Sequence, residues 1–144
     1  SETARMRYKC FGFIFQQHFL VPYLTATENV CMGREETLKY RACVLLQQLH
    51  LAGKEKALPS ELSYGQRQRV AVARALVHEP QVIFADEPTA SVDSELASDI
   101  CARLREYCGE GHSCIMATHD SQLATYATTV YRIRDGHISA ENRV

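Results

Sequence analysis

Residues 81–88 read Gln-Val-Ile-Phe-Ala-Asp-Glu-Pro, an apolar run that ends abruptly in two carboxylates. A short apolar run bounded by polar residues is typical of a buried strand in a parallel sheet. Residues 10–15 and 113–117 form similar runs and predict two further buried strands. Because helical stretches separate these runs, the sequence predicts an α/β domain with a mainly parallel sheet.

Amphipathic periodicity predicts three helices, over about residues 35–51, 63–78 and 94–108. Ser63 and Gln66 form a capping-box pattern at the start of the second helix. The residues expected to face inward are Leu38, Ala42, Leu45, Leu49, Val70, Ala73, Val77, Ala97, Ile100, Leu104 and Tyr107.

Turn residues and short apolar runs define the other elements. Residues 18–27 are predicted to form a loop, and Gly53 and Gly109 are expected to end the first and third helices. A short helix is predicted over residues 121–127. After it, Asp135-Gly136 is a two-residue hairpin signal that follows an apolar strand.

Composition excludes several classes of function. The formal charge is −1 and the pI is about 6.6, so we expect no nucleic-acid partner. The sequence contains no apolar run long enough to span a bilayer, so we expect no direct membrane insertion. The six cysteines form no C-x-x-C pair, which favours reduced thiols in a cytosolic protein over a zinc site.

Polar side chains follow each predicted strand directly. Gln16 follows the first strand, Asp86 and Glu87 follow the second, and His119 follows the third. Ligands of open α/β sheets bind beyond the carboxyl ends of the strands, so these residues are expected to share one site. One carboxylate there can hold Mg²⁺ beside nucleotide phosphates, and its neighbour can polarise an attacking water. Taken singly, each has a structural alternative: a solvated turn for the carboxylates and a structural role for the histidine.

The stretch Ser63-Tyr64-Gly65-Gln66 opens a predicted helix. Unpaired backbone N–H groups and the positive end of the helix dipole favour phosphate at such a position. A plain N-terminal cap explains Ser63 equally well.

Taken in this order, the motifs resemble those of the ATPase domain of ABC transporters. They are the Q-loop (13–16), the signature motif (62–69), Walker B (82–87), the D-loop (91–93), the switch histidine (118–120) and the terminal hairpin (130–138). The resemblance covers nearly the whole chain. Residues 19–30 are most similar to the lipoprotein-release and macrolide-efflux branch of that family.

This resemblance implies an ATP hydrolase that uses ATP and Mg²⁺. Gln16 would sense Mg²⁺ and the attacking water, and Asp86 would assist Mg²⁺. Glu87 would act as general base, and His119 would contact the γ-phosphate. A further group would complete the ATP site of the opposite subunit in a head-to-tail dimer: Ser63, Gly65, Gln66 and Asp93.

The resemblance also implies a fold and a setting. We expect an incomplete P-loop NTPase (RecA-like) domain, α/β, with a parallel sheet and an inserted α-helical subdomain. Residues 1–144 would form one partial domain, with a helical signature subdomain over residues 27–75 and the remaining core over 8–18 and 80–144. A second ATPase subunit and a transmembrane permease are the expected partners, at the cytoplasmic face of the membrane.

Two departures from the family pattern affect this interpretation. Tyr64 replaces the first glycine of the usual Leu-Ser-Gly-Gly-Gln, and tyrosine adds bulk and restricts φ where backbone is expected to approach ATP. The P-loop pattern G-x-x-x-x-G-K-[ST] has no match, because no two glycines are five positions apart. We therefore expect a form truncated at its N-terminus, unable to bind or hydrolyse ATP alone, with sheet edges open to self-association.

Two other functions are compatible with parts of this pattern. A non-catalytic module that docks on a permease or a full-length ATPase would keep the Q-loop region and the helical stretch as its docking face. Chromosome-maintenance and DNA-repair ATPases share the signature and Walker B motifs. Those proteins insert long coiled coils, whereas residues 16–62 are short and lack sustained heptads.

Overall fold

The computed structural model describes residues 10–32, 37–90 and 92–141. Its centre is a parallel sheet with the strand order β1 (Phe11–Ile14), β2 (Val82–Asp86) and β3 (Ser113–Ala117). Ala85 of β2 lies level with Ile14 on one side and with Met116 on the other. The carboxyl ends of the three strands therefore meet at one edge, which confirms the predicted α/β arrangement.

Within the described residues four α-helices accompany the sheet: α1 (Ala26–Cys31), α2 (Leu38–Gln48), α3 (Tyr64–Leu76) and α4 (Ser94–Gly109). The first three pack against one another, α3 also packs on β1, and α4 packs on β3. The predicted start of α2 at residue 35 lies outside the described residues. The inward residues predicted for α3 and α4 are buried: Val70, Ala73, Val77, Ala97, Ile100, Leu104 and Tyr107.

Helices cover one face of the sheet, and the other, here called the open face, carries partly exposed side chains. Ile14 and Ile83 on the covered face are fully buried, whereas Phe13 and Phe84 stack on the open face with ring centroids 5.6 Å apart. These two rings are 40% and 37% exposed, and Ile115 of β3 is 59% exposed. The predicted burial of these strands therefore holds for the covered face and not for the open one. Among the described residues, β3 pairs only with β2 and no helix packs over Ile115.

The start of α1 differs from the predicted loop over residues 18–27. Thr25 caps this helix: its hydroxyl accepts a bond from the Glu28 N–H, and the Glu28 carboxylate accepts one from the Thr25 N–H. The oxygen–nitrogen distances are 3.3 Å and 2.8 Å. This Thr-x-x-Glu capping box is a sequence signal that the loop prediction overlooked.

Glycine does not end the helices where the sequence predicts. Helix α2 ends at Gln48, and His50 already adopts a left-handed φ of +56° before Gly53 is reached. Helix α4 includes Gly109, and the chain turns at Gly111 with φ +97°. In both cases the left-handed residue lies within three positions of the helix end, as the geometry of helix termination requires.

The last two strands, β4 (Val130–Arg134) and β5 (His137–Glu141), form a separate antiparallel hairpin. Asp135 and Gly136 both have positive φ, +49° and +77°, which confirms the predicted two-residue turn. The helix predicted over residues 121–127 is a 3₁₀ segment, Ser121–Tyr126. None of the helices in the described part of the chain is long and apolar enough to cross a membrane.

Candidate functional site

The carboxyl edge of the sheet brings two of the predicted site residues into contact. Glu87 follows β2 and His119 follows β3 two residues beyond its end, so the parallel register places them side by side. The imidazole Nδ1 of His119 lies 2.7 Å from Oε1 of Glu87, and the His119 backbone N–H donates to the same oxygen at 2.9 Å. The Thr118 hydroxyl donates to Oε2 of Glu87 at 3.1 Å. Thr118 is a site residue for which the sequence analysis assigned no role.

These hydrogen bonds determine the charge of the pair. Partial burial acts to raise the pKa of Glu87, but the bonds from His119 and Thr118 outweigh it and hold that pKa below its ordinary value of 4.5. The same contact with Glu87 raises the pKa of His119 above 6.5. A carboxylate offers about four lone-pair positions, and three are occupied here. Glu87 is therefore an ionised carboxylate with one accepting position left on Oε2.

The backbone of Glu87 is held in an unusual conformation. Its φ is +47°, in the left-handed region that costs a residue with a Cβ roughly 1–2 kcal/mol. Hydrogen bonds on either side hold it: the Glu87 N–H donates to the Ala117 carbonyl at 2.9 Å, and the Ala90 N–H donates to the Glu87 carbonyl at 3.1 Å. Backbone strain retained by its surroundings is characteristic of functional positions.

A third bond to this turn comes from Gln68 in α3, a residue to which the sequence analysis assigned no function. Gln68 is 1% exposed, and its Nε2 donates to the Pro88 carbonyl at 2.7 Å. Its Oε1 is buried and has no hydrogen-bond partner among the described residues. The sequence offered one signal for this role: Gln68 lies four positions before Val72, which places the glutamine on the buried face of the helix. The bond makes α3 a direct support of the Glu87–Pro88 turn.

Asp86 and Gln16 lie at the same carboxyl edge of the sheet, and both are exposed to solvent. Asp86 is the last residue of β2 and is exposed, and Gln16 lies two residues beyond β1 and is exposed too. The described residues contain no cluster of three His, Cys, Asp or Glu side chains suited to holding a metal. Mg²⁺ beside nucleotide phosphates needs only one or two carboxylates, so Asp86 with the Gln16 amide fits the protein's share of such a site.

The signature segment forms the predicted capping box at the start of α3. The Ser63 hydroxyl accepts from the Gln66 N–H at 3.2 Å, and Gln66 Oε1 accepts from the Ser63 N–H at 2.9 Å. The Ser63 hydroxyl keeps its own hydrogen available for an acceptor such as a phosphate oxygen. Tyr64 is the first helical residue and has no left-handed φ, so its backbone adopts a conformation that tyrosine permits.

Gly65 and Asp93 place the start of α3 against the start of α4. A Cβ on Gly65 would lie 3.3 Å from Leu96 Cδ2 and 3.5 Å from Val92 Cγ1. Asp93 caps α4 by accepting from the Leu96 N–H at 2.9 Å. Ser91, the first residue of the predicted D-loop, lies outside the described residues. Ser63, Gly65, Gln66 and Asp93 thus form a second group, and no hydrogen bond in the described part of the chain joins it to Glu87 or His119.

The segment after β1 is held by two polar residues that the sequence analysis did not single out. Arg74 of α3 donates to the carbonyls of His18 and Phe19 at 2.6 Å and 2.8 Å. Asn29 is fully buried; its Oδ1 accepts from the Val21 N–H at 2.7 Å, and its Nδ2, with two hydrogens, lies within hydrogen-bond distance of three backbone carbonyls. These bonds fix the course of the chain from Gln16 to α1.

A family model and individual protein sequences both show similarity to ABC transporter proteins. A family model described as ABC transporter matches residues 2–90. The macrolide export ATP-binding/permease protein MacB of Burkholderia pseudomallei is 44% identical over 144 residues, covering 96% of this chain and 22% of that protein. MacB of Escherichia coli is 40% identical over 148 residues, covering 99% and 23%. The chain therefore spans less than a quarter of the length of these relatives.

Solved structures show the same similarity in three dimensions. The dimeric structure of MJ0796, a bacterial ABC transporter cassette, superposes with a TM-score of 0.88 at 32% identity, covering 99% of this chain and 68% of that one. A second dimeric structure of MJ0796, in a post-hydrolysis state bound to ADP and Pi, gives a TM-score of 0.85 at 29% identity, with the same coverage.

Proposed function

Because the chain belongs to the ATPase domains of ABC transporters, we propose that it supplies the water-activating side of an ATP site that powers transport. The observation that carries this proposal is the contact between Glu87 and His119 at the carboxyl edge of the sheet, 2.7 Å between Oε1 and Nδ1. An ionised carboxylate held at a strand end is suited to accept a proton from water.

Each residue at this edge has a distinct task in the proposal. Glu87 is the general base, and its remaining acceptor position on Oε2 takes the proton of the attacking water. His119 orients that carboxylate and offers its ring to a phosphate oxygen. Asp86 and Gln16 hold Mg²⁺, which when bound neutralises phosphate charge.

The second group of residues acts on another subunit's nucleotide. We assign Ser63, Gly65, Gln66 and Asp93 to ATP held across a head-to-tail dimer. This division is supported by the lack of any hydrogen bond in the described residues between them and Glu87 or His119, and by the positive end of α3 beside them. The relative MJ0796 has been solved as a dimer.

We further propose that the 144 residues do not hydrolyse ATP alone. The sequence contains no G-x-x-x-x-G-K-[ST] loop, so no backbone nest, lysine or hydroxyl of that kind is available for the phosphates. In this proposal residues 27–75 form a helical subdomain, residues 8–18 and 80–144 belong to the core, and a permease partner holds the chain at the cytoplasmic face of the membrane. The MacB relatives are named ATP-binding/permease proteins.

A chimera in which a phosphate-binding loop precedes the chain tests the assignment. We expect the chimera to release phosphate from ATP and Glu87→Gln to lower kcat about 10²- to 10⁴-fold, the usual worth of a general base. Glu106→Gln removes an exposed carboxylate from α4 and serves as the matched control, with unchanged kcat. Normal turnover in the Glu87→Gln chimera would contradict the role of Glu87. Turnover by the unmodified chain that Glu87→Gln abolishes would contradict the proposed inactivity.

A non-catalytic docking module is the second candidate function. Exposed aromatic residues after β1 favour it, with Phe15, Phe19 and Tyr23 exposed by 42%, 63% and 80%. Phe15 and Phe19 also line an apolar groove of about 310 Å³. Retention of a cognate permease by the immobilised chain, lost on Phe19→Ser, would support docking. No retention by the unmodified chain would argue against it.

A further inference from the structure

Tyr64, the first residue of α3, joins two parts of the site that are distant in sequence. Its hydroxyl donates to the carbonyl oxygen of Gln16 at 3.2 Å. Its own carbonyl accepts a hydrogen bond from Nε2 of His18 at 3.0 Å, and the two rings meet edge to face with centroids 4.3 Å apart. Tyr64 therefore contacts the segment after β1 at both Gln16 and His18.

The state of His18 supports a fixed arrangement. His18 is 8% exposed, and its ring is held against both the carbonyl and the ring of Tyr64. A carbonyl oxygen can only accept, so Nε2 of His18 must carry a proton. The ring is thus held as one tautomer, packed against the tyrosine ring.

The contact with Gln16 depends on the tyrosine side chain. Glycine, which the usual Leu-Ser-Gly-Gly-Gln motif has at this position, would keep the backbone carbonyl that binds His18. It would lose the hydroxyl that binds Gln16 and the ring that packs on His18. The departure from the motif therefore adds a link that a glycine at this position cannot make.

We propose that Tyr64 is a positioning residue that fixes the Gln16 segment to the first turn of α3. The bond ties the end of β1 to the helix that begins with the signature segment, so these two parts move together. The inference rests on the proposed function, because Gln16 matters to hydrolysis only if it acts beside Mg²⁺ and water. The link itself requires neither nucleotide nor partner.

Nuclear magnetic resonance of the labelled chain without nucleotide separates the two contacts. Tyr64→Phe should shift the Gln16 carbonyl carbon and the Gln17 amide nitrogen, which share one peptide unit, and leave the His18 ring carbons unchanged. Tyr64→Gly should shift all three. Tyr23→Phe removes the hydroxyl of an 80% exposed tyrosine in the same segment and should shift none of them.

Amide exchange measures the strength of the link. The Val21 amide donates to Oδ1 of Asn29 and reports opening of the segment after β1. Loss of the Tyr64 bond should speed exchange at Val21 roughly two- to tenfold in Tyr64→Phe. The amide of Ile83, in the centre of the sheet, should exchange at the same rate as in the unmodified chain. If Tyr64→Phe behaves like Tyr23→Phe, or if Ile83 changes in parallel with Val21, the positioning role is wrong. Neither of these two results would contradict the proposed ATPase function. Conversely, a chimera that fails to hydrolyse ATP would not change the resonance shifts expected for the Tyr64 variants.

Discussion

Replacement of Gln68 by methionine tests whether α3 supports the Glu87 turn. Methionine is similar in size and brings no hydrogen-bonding amide. The change leaves the Pro88 carbonyl without its 2.7 Å bond, a cost of about 1–3 kcal/mol. It also removes the buried Oε1 that has no partner among the described residues, which relieves a penalty of similar size. We therefore expect the free energy of unfolding to change by less than about 1 kcal/mol.

Gln68→Met should change the Glu87–His119 contact much more than it changes the free energy of unfolding. The left-handed backbone of Glu87 costs roughly 1–2 kcal/mol and depends on the bonds beside it. When the bond at Pro88 is lost, the turn can relax and the carboxylate moves away from the imidazole. The pKa of His119, which the Glu87 contact raises, should then fall towards 6.5.

The assay is a pH titration of the His119 ring resonances, with urea unfolding measured in parallel. Val72→Ala is the matched control because Val72 is fully buried one turn further along α3. Loss of its two methyl groups should cost about 2 kcal/mol and leave the pKa of His119 unchanged. If His119 titrates in Gln68→Met as it does in the unmodified chain, or if Val72→Ala moves its pKa equally, the Gln68 bond does not hold the Glu87 turn.

Two further predictions concern pH and packing. The lowered pKa of Glu87 stabilises the fold above about pH 4.5, and the raised pKa of His119 stabilises it below about pH 6.5. Unfolding midpoints of the chain and of Glu87→Gln should therefore differ most between those values. The difference should shrink as the pH falls through the folded-state pKa of Glu87 or rises through that of His119, and at high pH it should keep the part due to the hydrogen bonds from Thr118 and the His119 backbone; a constant difference across pH would contradict the pairing. Gly12→Ala should destabilise the fold by about 1–3 kcal/mol in urea, because its Cβ would lie 2.6 Å from the Ala75 carbonyl oxygen. Gly109→Ala, in α4 with nothing within 4 Å, should not destabilise it, and equal losses would refute the steric argument.

Local sequence patterns predicted much of the fold. The run over residues 113–117 matches β3 residue for residue, and the Ser63–Gln66 pattern locates the start of α3. Both signals involve neighbours within a few positions, where backbone preference and spacing are decisive. The meeting of Glu87 and His119 also follows from sequence, because parallel strands bring their carboxyl ends to one edge.

Long-range partners account for what the sequence did not reveal. Gln68 binds a backbone carbonyl 20 positions further along the chain, and nothing in its neighbours identifies that acceptor. Phe84 and Ile115 have the apolar character of buried residues, yet their exposure depends on what packs over the sheet. Composition of a strand indicates that it belongs in a sheet but not which of its faces is covered.

At position 87, the residue that best suits the left-handed backbone differs from the residue that the proposed chemistry needs. Glycine at position 87 would adopt φ +47° without the Cβ penalty of roughly 1–2 kcal/mol, partly offset by its greater freedom in the unfolded chain. A library randomised at this codon should therefore diverge under two selections. Selection for heat resistance at an acid pH, where protonation of the carboxylate removes its pairing with His119, should enrich glycine and asparagine, whereas selection for ATP turnover in the chimera should retain glutamate.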